Sequence, residues 1–315
     1  MSLNKVRHLI EPEDFNNEEI VKLVDLGEKM LENPGNYAEQ CKGKILASLF
    51  YEPSTRTKFS FDSAMLRLGG SLIGFSDAST SSVKKGESLA DTIKVMGYYG
   101  DIIVMRHPKE GAPKLASMYS EVPIINGGDG GHQHPSQTLT DLLTIKKFKG
   151  SLEGHTIAFC GDLKYGRTVH SLIRTMARFE TKKFILISPE ELRLPSSLMR
   201  QMKTQYPDIE IQEVRQLDEV VGEIDILYMT RIQKERFFNE EDYLKLKNSF
   251  ILTKEKIKDA KEDMIIMHPL PRVNEIAYDV DDDKRAVYFE QSKMGVYIRM
   301  ALITKLLEVG EYARG

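Results

Sequence analysis

Cysteine is scarce in this sequence: Cys41 and Cys160 are the only two in 315 residues. The two thiols can pair in principle. Neither has surroundings that resemble a metal motif, and so few thiols in so long a chain point to a reducing compartment, with the cytoplasm as the default. Long apolar runs are missing as well. No stretch reaches membrane-spanning length and the N-terminus lacks a signal-peptide pattern, so no membrane is expected as a partner. Charge of one sign is also lacking, since 44 Lys and Arg stand against 47 Asp and Glu for a formal charge of −3. That balance offers no general attraction for nucleic acid, although a local basic pocket stays open. Several motifs are absent too. Without GxxxxGK[ST], GxGxxG after the first strand, GxSxG or HExxH, the sequence indicates no P-loop, dinucleotide site, serine elbow or catalytic metal. No cofactor is expected.

What is present is strand–helix alternation with short connections, the pattern of a parallel sheet covered on both faces. Asn17 or Asp14 is expected to cap a first helix whose apolar face carries Ile20, Leu23, Val24 and Leu31. Strands follow at ILASLF (45–50), SLIGF (71–75), DIIVMR (101–106) and VPIIN (122–126), separated by helices that include Ser88 to Tyr98 and Lys109 to Ser120. A helix ending at Gly150 closes the series, and SLEG (151–154) makes an inter-domain link. A second series runs through HTIAFCGD (155–162), KFILIS (183–188), IEIQEV, DILYMT (225–230) and MIIMH (264–268). Its helices are expected over 168–179, 196–205, LDEVVG and 253–260, and a last helix from about Ser292 to Val309 is long enough to pack back on the first domain. The fold class is therefore α/β, with two domains that each hold a mostly parallel sheet flanked by helices. At this length two cores are expected.

The chain is organised around Pro53-Ser54-Thr55-Arg56-Thr57. Pro53 ends the strand before it, and Phe61, Ala64, Met65 and Leu68 recur at helical spacing after it, until Gly69-Gly70 stops the helix. Three hydroxyls and a guanidinium thus sit at a helix N-terminus, where unpaired N–H groups and the positive dipole end make a phosphate cradle. An ordinary helix cap is the competing reading, because Ser and Thr are common there.

Ligands of open α/β sheets sit at the carboxyl ends of strands. There the sequence places Arg56, Arg106, His134 with Gln137, Arg167, Arg231 with Gln233, and His268-Pro269-Leu270-Pro271. Four arginines at separate strand ends suggest a polyanionic substrate. Each has a plainer reading: Arg106 as the partner of an acidic loop residue, His134 as a loop-bonded helix start, Arg167 as a surface residue. The loop SSVKKGE (81–87) is either a solvated charged loop or a source of lysine for a phosphate.

Taken together, Ser54-Thr55-Arg56-Thr57, His134-Pro135-Ser136-Gln137, Arg167, Arg231-Ile232-Gln233 and His268-Pro269-Leu270-Pro271 resemble the carbamoyltransferases. KKGE after a Ser/Thr-rich loop, RxQ after strand 225–230, and HPLP rather than HCLP favour aspartate over ornithine as acceptor. The resemblance spans essentially the whole chain. It implies a carbamoyl-phosphate domain over 1–150, an aspartate domain over 151–290, and a helix within 291–315 that returns to the first. It further implies a homotrimer with active sites shared between chains, to which a neighbour lends Ser81 and Lys85. Many microbial members also join two trimers with three dimers of a separate regulatory chain that binds zinc and nucleotides.

By the same resemblance, Ser54, Thr55, Arg56 and Thr57 hold the phosphate of carbamoyl phosphate, helped by Arg106 and Lys85. Thr57, Arg106 and His134 address the carbonyl oxygen; Gln137 and the main-chain oxygens of Pro269 and Leu270 address the NH2 group. Arg167 and Arg231 clamp the two carboxylates of L-aspartate, with Gln233 orienting the clamp. The implied reaction is attack of the aspartate amine on the carbonyl through a tetrahedral intermediate, giving N-carbamoyl-L-aspartate and phosphate. Rival readings are a carbamoyltransferase for ornithine or another amine, a non-catalytic binding protein on the same fold, and a phosphosugar- or nucleotide-binding protein.

Overall fold

The computed structural model describes residues 6–77, 85–232, 241 and 250–313. The chain forms two units, Met1–Leu143 with Ser292–Gly315, and Thr144–Gln291. In the first, strands β1 (Ile45–Phe50), β2 (Ser71–Phe75), β3 (Ile102–His107) and β4 (Ile124–Asp129) form a parallel sheet in the order β2-β1-β3-β4. Helices α1 (Asn17–Glu32), α2 (Thr55–Arg67), α3 (Leu89–Tyr99), α4 (Ala112–Tyr119) and α5 (Pro135–Lys149) connect and cover it. The second unit holds β5 (Thr156–Cys160), α6 (Arg167–Met176), β6 (Lys183–Ile187), α7 (Ser196–Gln205), β7 (Glu210–Val214), β8 (Ile226–Met229) and β9 (Ile265–Met267). Its strands are all parallel, in the order β7-β6-β5-β8-β9. The last helix, α8 (Tyr288–Leu306), belongs to the first unit from Ser292 onward.

Local chemistry explains most boundaries. The cap of α1 is Asn16, one residue from Asn17: its side chain accepts the Glu19 N–H and the Glu19 carboxylate returns to the Asn16 N–H. Asp14 is unavailable as a cap because its carboxylate already accepts the N–H groups of Ile10 and Glu11. Ile20, Leu23 and Val24 are buried as expected, whereas Met30 rather than Leu31 completes the apolar face. Gly69 ends α2 with φ +81°, and a Cβ there would stand 2.3 Å from the Ala38 carbonyl oxygen.

The return of α8 is a packing fact. A Cβ on Gly27 of α1 would lie 3.2 Å from both Ile298 of α8 and Leu143 of α5, so the missing side chain lets these helices approach closely. Ile298, Ala301, Leu302 and Ile303 are fully buried.

Three further expectations are corrected. The segments LDEVVG and 253–260 form only single 3-10 turns, Leu217–Glu219, Val221–Glu223 and Glu255–Ile257. Six to eight residues recover little of the cost of nucleating a helix, and Val220-Val221-Gly222 favours one poorly. Strand β4 runs past Asn126 to Asp129, pairing with His107 of β3, because Gly127 and Gly128 have no side chain to obstruct it.

Gly161 closes β5 beside β8. Its φ is +120°, and a Cβ would come within 2.3 Å of the Thr230 carbonyl oxygen, a backbone atom fixed by the sheet. Gly161→Ala should therefore lower stability by about 2 kcal/mol or more, seen as a melting temperature lower by several degrees. An unchanged calorimetric midpoint would mean that β5 and β8 diverge at this point.

Candidate active site

In the first unit, three neighbouring parallel strands deliver groups to one edge. After β1, Ser54 takes the N-cap position of α2, yet its side chain makes no capping hydrogen bond. The hydroxyl is not committed to the helix, which counts against the ordinary-cap reading. Thr55 and Arg56 are exposed in the first turn, Thr57 is buried, and the turn itself contains no acidic residue. A helix start of this composition suits an external anion.

Arg106, the penultimate residue of β3, is in register with Phe50 of β1, and its carbonyl accepts the Tyr51 N–H at 2.9 Å. Its side chain is 11% exposed. One guanidinium nitrogen, Nη1, donates to the Gly127 oxygen at 3.4 Å. Nε stands 3.4 Å from Glu52 Oε2, close enough for an ion pair, but both atoms are buried without a hydrogen-bond partner. Burial pushes the Arg106 guanidinium down from its ordinary range, and the attraction of Glu52 opposes this. The acidic loop partner is thus real, but it leaves a buried N–H unsatisfied. Such a group normally has a partner, and an anion in the cradle would supply one.

After β4, His134 is buried and its carbonyl receives the Gln137 N–H at 2.9 Å, opening α5. Ser136 Oγ lies 3.4 Å from His134 Nδ1. Gln137 Nε2 donates to Asp141 Oδ1 at 2.8 Å. Lys85 is exposed ahead of α3, whereas Ser81 lies outside the described residues.

The second unit repeats the plan at β5, β8 and β9. Gly166 precedes α6, where Arg167 begins the helix; a Cβ on Gly166 would stand 2.5 Å from the Asp162 carbonyl oxygen. Buried Asp162 holds the loop: its N–H goes to Thr230 Oγ1 and its Oδ1 accepts the Tyr165 N–H, each at 2.9 Å. Arg231 follows Thr230 and is half-buried; Gln233 lies outside the described residues. Beyond β9 the turn carrying Pro269 and Leu270 rests on a buried pair. His268 Nε2 meets Glu275 Oε1 at 2.7 Å, and His268 Nδ1 accepts the Leu270 N–H at 2.7 Å. The second carboxylate oxygen of Glu275 accepts the N–H groups of Val273 and Asn274. Because Nδ1 is an acceptor, the ring is neutral and its proton sits on Nε2, facing Glu275. Leu270 itself occupies the left-handed region, φ +52°, which the network around it sustains.

The chain matches two family models that together cover most of its length. Residues 7–147 match "Aspartate/ornithine carbamoyltransferase, carbamoyl-P binding domain", and residues 153–306 match "Aspartate/ornithine carbamoyltransferase, Asp/Orn binding domain". The chain belongs to this family. The aspartate carbamoyltransferase catalytic subunit of Clostridium botulinum (strain Eklund 17B / Type B) is 61% identical over 97% of this chain and 99% of its own. Among solved structures, the catalytic subunit of M. jannaschii aspartate transcarbamoylase is 51% identical with a TM-score of 0.89, covering 96% of this chain and 98% of that one. The Trypanosoma cruzi aspartate transcarbamoylase in complex with carbamoyl phosphate and aspartate is 39% identical, with a TM-score of 0.88 over 95% of this chain and 96% of that one.

Within this carbamoyltransferase, three supporting acids escaped the reading of the sequence. Asp141 was open to detection, because glutamine and aspartate four residues apart on a helix are neighbours. Glu52 and Glu275 gave no periodic signal, since each meets its partner through a turn or an adjoining strand.

Burial holds His268 below its ordinary 6.5. Burial works upward on Glu275, but the hydrogen bonds it accepts from His268 and from backbone N–H groups outweigh it and keep the carboxyl below 4.5. Both shifts have the same sign for folding. The unfolded chain binds more protons once pH drops below 6.5, so the stability contributed by neutral His268 is complete above that pH and lost on acidification, and Glu275 adds to the loss below 4.5. A His268→Gln variant should be less stable at pH 7. Its urea midpoint should also fall less steeply than that of the wild type between pH 6.5 and 4.5, by up to about 1.4 kcal/mol per pH unit. Parallel curves would mean that His268 titrates as it does in the unfolded chain.

Proposed function

We propose that this chain transfers the carbamoyl group of carbamoyl phosphate to L-aspartate, giving N-carbamoyl-L-aspartate and phosphate, an early step of de novo pyrimidine synthesis. The observation that carries the reading is the unsatisfied, buried Nε of Arg106 beside the acid-free start of α2. Similar chains named as aspartate carbamoyltransferase catalytic subunits support the acceptor.

In this reading the first unit takes carbamoyl phosphate. Ser54, Thr55, Arg56 and Thr57 hold its phosphate with Arg106 and Lys85; Thr57, Arg106 and His134 stabilise the carbonyl oxygen as it gains charge. Gln137 and the carbonyls of Pro269 and Leu270 receive the NH2 group. The second unit takes aspartate, whose carboxylates meet Arg167 and Arg231 with Gln233 in support. The amine attacks, the tetrahedral intermediate collapses, and the departing phosphate carries off the proton. Catalysis is by positioning and electrostatics. Two arginines suit a dicarboxylate; a cationic acceptor such as ornithine would want acids there.

The proposed assembly is a homotrimer in which Ser81 and Lys85 complete a neighbour's site, with two trimers able to join three dimers of a regulatory chain. The "catalytic subunit" names of similar chains support assembly with other chains. The proposed setting is the cytoplasm, supported by two free, buried cysteines; no helix among the described residues is long and apolar enough to cross a membrane.

Phosphate release from carbamoyl phosphate should require L-aspartate and no added metal. Arg231→Ala should weaken aspartate by at least about tenfold, the worth of a charged hydrogen bond, while calorimetric binding of carbamoyl phosphate stays nearly unchanged. Equal rates with ornithine would reject the acceptor, and joint loss of both ligands would reject the division of labour.

The shared site has its own test. Arg56→Ala and Lys85→Ala proteins, each nearly inactive, should regain part of the activity when dissociated and reassembled together. If mass measurement confirms chain exchange and no activity returns, Lys85 does not act across chains.

A further inference from the structure

The amide of Gln137 presents two chemically opposite ends. The proposed function needs its oxygen toward the substrate, since the carbamoyl NH2 group only donates; the NH2 end would set donor against donor. Nothing in the amide's shape selects one orientation. Its neighbour does. Gln137 Nε2 donates to Asp141 Oδ1 at 2.8 Å, one turn further along α5.

A Gln–Asp contact at this spacing on an exposed helix would be ordinary. Here Asp141 is 0% exposed, and a buried carboxylate needs a reason and a counter-charge. Arg299 of α8, itself 4% exposed, is a cation that feels the charge of Asp141. Its Nη1 donates to Ser60 of α2, and its guanidinium carbon lies 4.8 Å over the Phe61 ring. Burial pushes Arg299 down to about 10, with the attraction of Asp141 opposing the fall, so it is still a cation at neutral pH. An ionised carboxylate has no proton to donate. It can take only the NH2 end of Gln137, and the oxygen is turned away.

We propose that Asp141, through its hydrogen bond to Gln137, is the positioning residue that fixes the orientation of the Gln137 amide and thereby makes the site select a carbamoyl over an acyl phosphate. The inference rests on the proposed function, in which Gln137 faces the carbamoyl group. Asp141 touches no substrate and acts only through Gln137. Discrimination of this kind is strong when a site is built to hydrogen-bond a group that the competitor lacks. The competitor is acetyl phosphate, equal in shape but with a methyl in place of the NH2.

The test is calorimetric titration of the assembled protein with carbamoyl phosphate and, separately, acetyl phosphate. The wild type should prefer carbamoyl phosphate. Asp141→Asn offers either a donor or an acceptor to Gln137, so the amide loses its fixed sense; carbamoyl phosphate should weaken by about tenfold or more while acetyl phosphate is unchanged. Because this variant removes a negative charge that Arg299 feels, the double variant Asp141→Asn/Arg299→Gln keeps a donor for Ser60, removes the cation as well, and should show the same collapse of the ratio. If both ligands weaken equally in the variants, or neither does, Asp141 is merely structural and the inference is overturned while the proposed function stands. If the wild type fails to prefer carbamoyl phosphate, the assignment of Gln137 falls, and the inference falls with it.

Discussion

Parallel pairing is the constraint on which everything else in each unit depends. Because β1, β3 and β4 run the same way in adjacent positions, the chain leaves all three at one edge. The α2 N-terminus, Arg106 and the His134–Gln137 turn must then share that edge, although about 80 positions of sequence separate the first from the last. The pairing of β5 with β8 and of β8 with β9 does the same for Arg167, Arg231 and the Pro269–Leu270 turn. Parallel strands need long crossovers, which the helices supply, and the strand ends are left for loops that bind.

The groups at these edges are charged or polar and largely buried, which is costly unless each is matched. The matching is uneven in an informative way. His268 and Glu275 satisfy each other and the surrounding backbone amides, as suits a pair that only supports a turn. Asp141 accepts the Gln137 amide N–H, and Arg299, which donates to Ser60, feels the Asp141 charge. Arg106 is matched incompletely: Glu52 is near enough to stabilise its charge, yet its Nε, like that of Arg299, has no hydrogen-bond partner. A fully bonded arginine would gain little from an incoming anion. One left partly unsatisfied gains a hydrogen bond when the ligand arrives.

Much of this was legible in the chain itself. Strand periods, the helix start at Ser54-Thr55-Arg56-Thr57, and arginines placed after apolar runs are local patterns, and local patterns survive without knowledge of the fold. They placed the strands, marked the residues that follow them, and pointed to the family that the comparisons then established. Stop signals were less reliable where glycine was involved: Gly69 ended a helix as read, whereas Gly127-Gly128 continued a strand.

Tertiary structure alone decided the rest, because the remaining interactions join residues with no fixed spacing. The order of strands within each sheet, the close approach of α8 to α1 at Gly27, and the partners Glu52 for Arg106 and Glu275 for His268 are all of this kind. A sequence states which side chains exist and the period in which they recur. Which buried charge answers which is settled only when packing brings them together, since the cost of leaving either one alone arises from the burial that packing creates.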